Sequence, residues 1–119
     1  MEKRKLTSQD LANKLAQLTH TKKAYDIKIL DLRKLTTITD YFIICSADSD
    51  TQVKAIADAV IEGSKQMGEK PWHKEGTQGL RWVLLDYVEV VVHIFLKETR
   101  RFYGLENLWG DAIITDVED

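Results

Sequence analysis

Arg81 to Trp109, RWVLLDYVEVVVHIFLKETRRFYGLENLW, decides the fold. It reads as two strands joined by a tight turn at Asp86–Tyr87, then an arginine-bearing turn, then a short amphipathic helix. Side chains alternate across a strand, so Val88, Val90, Val92, Ile94 and Leu96 share one face. That face is wholly aliphatic and is assigned to the core. The opposite face carries Glu89, Val91, His93 and Phe95, a mixed surface that is neither properly apolar nor properly polar. A face of that kind waits for something to cover it.

Immediately upstream lie an extended piece, Lys70 to Lys74, carrying Trp72 and His73, and a loop from Glu75 to Gly79. Before them, Ser49 followed three residues later by Gln52 is a capping-box pattern that opens a helix. Val53, Ile56, Ala57, Val60, Ile61 and Met67 then recur at spacings of three and four, the pattern of a core helix. Gly63 inside it costs about 1 kcal/mol relative to Ala. Gly68 suits a left-handed cap, and Pro71 prevents a restart. Tyr41 to Ser46 (YFIICS) is apolar on both sides, as a central strand would be. The linker Arg33 to Asp40 is too polar for core. Asp26 to Leu32 (DIKILDL) is a further strand whose imperfect alternation means either burial on both faces or a bulge near Leu30. Thr7 or Ser8 caps a first helix with Asp10 in its first turn and an apolar stripe at Leu11, Leu15 and Leu18.

The order is therefore helix, strand, strand, helix, three strands, short helix. Two long helices cover one face of a sheet, and none remains for the other. The expected fold is α/β (α+β): a single mixed sheet of four to five strands, helices mainly on one face, the other partly open. One domain spans residues 1–119, with its core at about 6–110 and a flexible tail at 111–119.

The composition belongs to an ordinary globular protein, 119 residues with 44% hydrophobic and 30% charged. The net charge of −2 and pI near 5.9 supply no broad basic field, which argues against nucleic-acid binding as the main activity. A slightly acidic chain suits a basic partner instead. Cys45 is the only cysteine, so no internal disulfide forms and a reducing cytoplasm is expected. The basic start, Glu2-Lys3-Arg4-Lys5, lacks the apolar run of a signal peptide, and no stretch approaches the ~18 to 20 apolar residues of a membrane span.

Few residues announce chemistry. Asp48 and Asp50, just after a strand, could hold Mg²⁺ for phosphoryl or nucleotidyl transfer, or could simply favour a helix N-terminus. The glycines at 76 and 79 are too sparse for a phosphate loop. With His20, His73, His93 and one cysteine, no spacing resembles a zinc site. No cofactor or resident metal is expected. His93 is read as a hydrogen-bonding residue of the sheet face or of an interface, and Cys45 as a buried small hydrophobe. Glu98 and Arg101 are spaced to pair on a helical turn, while the adjacent Arg100 and Arg101 beside Phe102 and Tyr103 could grip a partner. Leu105, Leu108 and Trp109 form an apolar edge that docks onto the domain. Trp72, Trp82, Tyr87 and Tyr103 exceed what a small core needs, and aromatics with arginine are the usual interface anchors.

Four collinear segments, DYFIICSADSDTQVKAIADAV, WHKEG, WVLLDYVEVVVHIF and ETRRFYGLENLW, strongly resemble the ribosomal silencing factor S family, also called Iojap. The resemblance runs from about Tyr25 to Trp109. It implies a pared-down nucleotidyltransferase-like fold without catalysis, and binding to the large ribosomal subunit through that subunit's basic fourteenth protein. It also implies a block to joining of the small subunit during starvation or stationary phase, and a homodimer. The matching segments locate a docking patch, and residue type selects Trp82, Asp86, Tyr87, Glu89, Arg101 and Tyr103 within it. The alternatives are a metal-dependent nucleotidyltransferase-like enzyme using Asp48 and Asp50, or a ribosome assembly factor.

Overall fold

The computed structural model describes residues 6–117. In chain order the elements are helix α1 (Ser8–His20), strands β1 (Tyr25–Asp31) and β2 (Tyr41–Ala47), helix α2 (Asp50–Gln66), strands β3 (His73–Glu75), β4 (Trp82–Asp86) and β5 (Val90–Leu96), helices α3 (Lys97–Tyr103) and α4 (Leu105–Leu108), and strand β6 (Ile113–Asp116). The basic start at residues 2–5 lies outside the described residues.

Local chemistry sets the helix starts. The Thr7 hydroxyl accepts the Asp10 N–H at 3.0 Å, and the Ser49 hydroxyl accepts the Gln52 N–H at 3.1 Å. Each satisfies a donor that the first turn leaves without a partner. Gln52 does not complete a reciprocal box with Ser49. Its Oε1 accepts the Asp48 N–H at 2.7 Å, and its Nε2 donates to the carbonyls of Lys22 and Lys23. The start of α2 is thereby tied to the turn that follows α1.

The sheet has six strands in the order β3-β4-β5-β2-β1-β6. Only β2 and β5 run parallel, with Tyr41 opposite Val90 and Ala47 opposite Leu96. The other pairs are antiparallel. Four to five strands were expected. The additional one is β6, in the segment read as a flexible tail: Ile113 to Asp116 pair with Asp31 to Lys28 along β1. Lys28 and Asp116 add an ion pair across that edge.

Helices α1 and α2 pack on one face, and the main core lies between them and Ile27, Ile29, Ile43, Cys45, Val83, Leu85, Val90, Val92 and Ile94. The second face carries its own smaller core, Leu30, Leu32, Ile44, Phe95 and Leu105. Strand β1 is thus buried on both sides, and its register irregularity falls between Tyr25 and Lys28, where Asp26 has φ of +49°, not near Leu30.

The hairpin differs from its sequence reading in two ways. The turn lies at Tyr87–Glu89, and Val88 leaves the aliphatic row: it is exposed, with φ of +73°. A β-branched residue there is strained. The second face of β5 is also better covered than its composition suggests, since Val91, His93 and Phe95 are all buried. Leu105 and Trp109 of the α3–α4 corner cover the Phe95 end of this face, and the corner is clamped by Arg100. Its Nε donates to Glu106 at 2.6 Å, and its NH1 donates to the Asp26 carbonyl at 2.7 Å and the Ser46 hydroxyl at 2.8 Å. A buried guanidinium held by three hydrogen bonds in this way stiffens a corner.

Candidate docking face

The residues of the second face follow from strand alternation: Trp82, Leu84 and Asp86 on β4, Val91, His93 and Phe95 on β5, Phe42 on β2. Trp82 donates its indole N–H to His93 Nδ1 at 3.1 Å. That bond requires an unprotonated Nδ1, and the ring is only 3% exposed. Burial pushes its pKa down to about 3, so the imidazole is neutral. Its Nε2 has no hydrogen-bond partner, while the Phe42 ring stands edge-on with a centroid distance of 4.5 Å. His93 therefore serves this face as a hydrogen-bond acceptor. It holds the Trp82 indole at a fixed tilt.

An aromatic layer spreads from this pair. Trp82 lies 4.7 Å from the Phe95 ring and 4.9 Å from the Tyr103 ring, and Trp109 meets Phe42 at 5.8 Å. On α3, Phe102 is 81% and Tyr103 53% exposed. A groove of about 620 Å³ runs between α3 and the loop before β4, lined by Gly76, Leu80, Trp82, Glu98, Phe102 and Tyr103 among others. Gly76 is required in the groove wall: its φ is +79°, and a Cβ would collide with the Trp82 carbonyl oxygen.

Of the six residues selected from sequence, Trp82 and Tyr103 are in ring contact, and Arg101 is exposed on the same short helix. No ion pair joins Arg101 to Glu98 among the described residues. Asp86 and Glu89 lie at the far end of the hairpin. Asp86 accepts the Val88 N–H at 2.7 Å, and Glu89 is exposed while its carbonyl accepts the N–H groups of Asp40 and Tyr41. Tyr87 does not belong to the patch. It is 7% exposed, on the helix side of the sheet, and its hydroxyl shares a 2.8 Å hydrogen bond with Ser64 on α2. Burial raises its phenol pKa. Sequence reasoning named Phe102 beside the arginines without selecting it and missed Ile38, and both are strongly exposed apolar side chains. Exposure of a lone Phe or Ile leaves no mark in a sequence pattern.

The paired aspartates after β2 stand apart from this face. Asp48 accepts the Tyr25 hydroxyl at 2.7 Å and lies 3.9 Å from Lys97 Nζ. Burial first, then the Asp48 carboxylate, pushes the Tyr25 phenol up to about 12. Asp50 accepts the Thr51 N–H at 2.7 Å in the first turn of α2. Among the described residues, no group of three His, Cys, Asp or Glu side chains is placed to hold a metal ion. Cys45 is buried, and desolvation pushes its thiol up to about 12, far from the thiolate that reactivity needs.

Compared with known proteins, residues 5–119 match the family described as ribosomal silencing factor during starvation. The ribosomal silencing factor RsfS of Bacillus subtilis is 43% identical over 97 residues, 82% of each chain. That of Halalkalibacterium halodurans is 36% identical over 113 residues, 95% of this chain and 97% of the relative. A crystal structure of a Chromobacterium violaceum protein matches with a TM-score of 0.86 at 35% identity, over 88% of each chain.

Proposed function

Because this chain belongs to the family of ribosomal silencing factors, we propose that its second sheet face docks on the large ribosomal subunit and thereby keeps the small subunit from joining. The partner on the large subunit is its basic fourteenth protein. The observation that carries this reading is the Trp82–Tyr103 contact, with the indole locked by His93 beside an open groove. Pre-positioned aromatics bind at small entropic cost, and they are the side chains that dominate interface energetics. The acidic balance of the chain favours a basic surface.

The mechanism is steric. A body of 46 × 31 × 27 Å seated at the intersubunit face occupies volume that the small subunit needs, so no bond is made or broken. The protein works in the cytoplasm as a regulator of translation under starvation, and it forms a homodimer. No helix among the described residues is long and apolar enough to cross a membrane.

Co-sedimentation with isolated large and small subunits, followed by a subunit-joining assay, tests this. Selective pelleting with the large subunit and fewer joined ribosomes is the expected result. Pelleting without any effect on joining would indicate an assembly role, and no pelleting would end the reading. Sedimentation equilibrium of the free protein tests the dimer.

A further inference from the structure

At the hairpin end of the second face, beyond Asp86 on β4, three large apolar side chains stand in solvent around one cavity. Ile38 is 85%, Trp72 79% and Val88 56% exposed, and with Thr39, Asp86 and Val91 they line a space of about 330 Å³. Asp86 organises its wall. Its carbonyl accepts the Trp72 N–H at 2.7 Å, and its carboxylate accepts the Val88 N–H at 2.7 Å, holding a strained residue with its side chain outward. The Thr39 residue is buried, and its hydroxyl has no hydrogen-bond partner. Asp40 and Glu89 are joined through the Asp40 N–H and the Glu89 carbonyl at this end of the sheet, and Glu89 is exposed.

We propose that this cavity seats a lysine or arginine side chain presented by a basic polypeptide segment of the docking partner. The aliphatic stem lies against Ile38, Val88 and the Trp72 ring, the cation meets Asp86 and Glu89, and Thr39 Oγ1 accepts one of its hydrogen bonds. Long basic side chains bury their methylenes on apolar surface while the charged head seeks carboxylate or an indole face. Carboxylates at this end repel phosphate, so a protein segment fits the site and ribosomal RNA does not. The proposal rests on the docking function above and extends its footprint from Tyr103 to the opposite end of the face.

The test uses the full chain and isolated large subunits. Trp72→p-benzoylphenylalanine is irradiated on the subunit, and Trp72→Ala and the pair Asp86→Asn with Glu89→Gln are titrated by pelleting. Asparagine retains the acceptor for Val88, so the turn survives. A crosslink mapped to a Lys- or Arg-bearing protein segment is expected, with affinity about tenfold weaker for Trp72→Ala at unchanged melting temperature. The double variant should bind with a flatter salt dependence. A crosslink to RNA, or a bound chain that gives none, overturns the proposal, as does a Trp72→Ala affinity within about twofold of the parent. Failure of the unmodified chain to pellet would instead remove the docking function itself.

Discussion

A histidine kept neutral beneath a tryptophan ties stability to acidity. The folded-state pKa of His93, near 3, lies below its unfolded value of 6.5, because burial disfavours the charged ring. The contribution is therefore fully present above pH 6.5 and is lost as pH falls towards 3, by about 1.4 kcal/mol for each unit over which only the unfolded chain is protonated. Urea unfolding at pH 7, 5.5 and 4.5 should show that loss, and His93→Phe should flatten it relative to the parent. At this scale the sequence was read unevenly. The aromatic surplus around the hairpin was visible, and so was the odd position of His93. Which of Arg100 and Arg101 faces inward was not, because adjacent helical positions differ by roughly 100° and both carry the same charge. Tyr87 was misplaced for a related reason: one residue of turn displaces Val88 outward and sends the phenol towards Ser64.

Elements with strong local signals were legible. Both long helices begin at the hydroxyl caps visible in the sequence, and β2 was recognisable from apolarity on both sides. Strand β6 was not, since all four of its residues are exposed and it carries no burial pattern. Its existence depends on the β1 edge that it joins. Gly63 shows how an element's context offsets a propensity. Read alone, it weakens α2, yet a Cβ there would overlap Leu18 of α1, so the glycine lets the two helices approach. Gly63→Ala should therefore stabilise the fold by less than the about 1 kcal/mol that helix propensity alone would give, because the Leu18 methyls must move aside. In the Leu18→Ala background the same substitution should recover the full gain. Denaturant midpoints of the four proteins in that cycle measure the coupling.

For the molecule as a whole, the main core lies on the helix-covered face and the proposed docking residues lie on the aromatic one. Tyr103→Ala should weaken large-subunit binding about tenfold while leaving the melting temperature unchanged, because half of that side chain is already in solvent. Tyr87→Ala should do the reverse. It opens a cavity in the main core and removes the hydrogen bond to Ser64, whose hydroxyl keeps the Ile61 carbonyl, costing about 3 kcal/mol of stability. Pelleting and thermal unfolding of both variants distinguish the two faces. The parallel pairing of β2 with β5 has a kinetic consequence as well. Those central strands meet only after the whole segment between Ala47 and Val90 has closed into a loop. The β4–β5 hairpin and α2 can form from neighbouring residues, but neither acquires its place until that closure. Loop-closure entropy precedes the reward of the central contacts, so refolding should be slower than helix or hairpin formation. Until β2 and β5 join, the edges of both strands remain exposed to association with other chains.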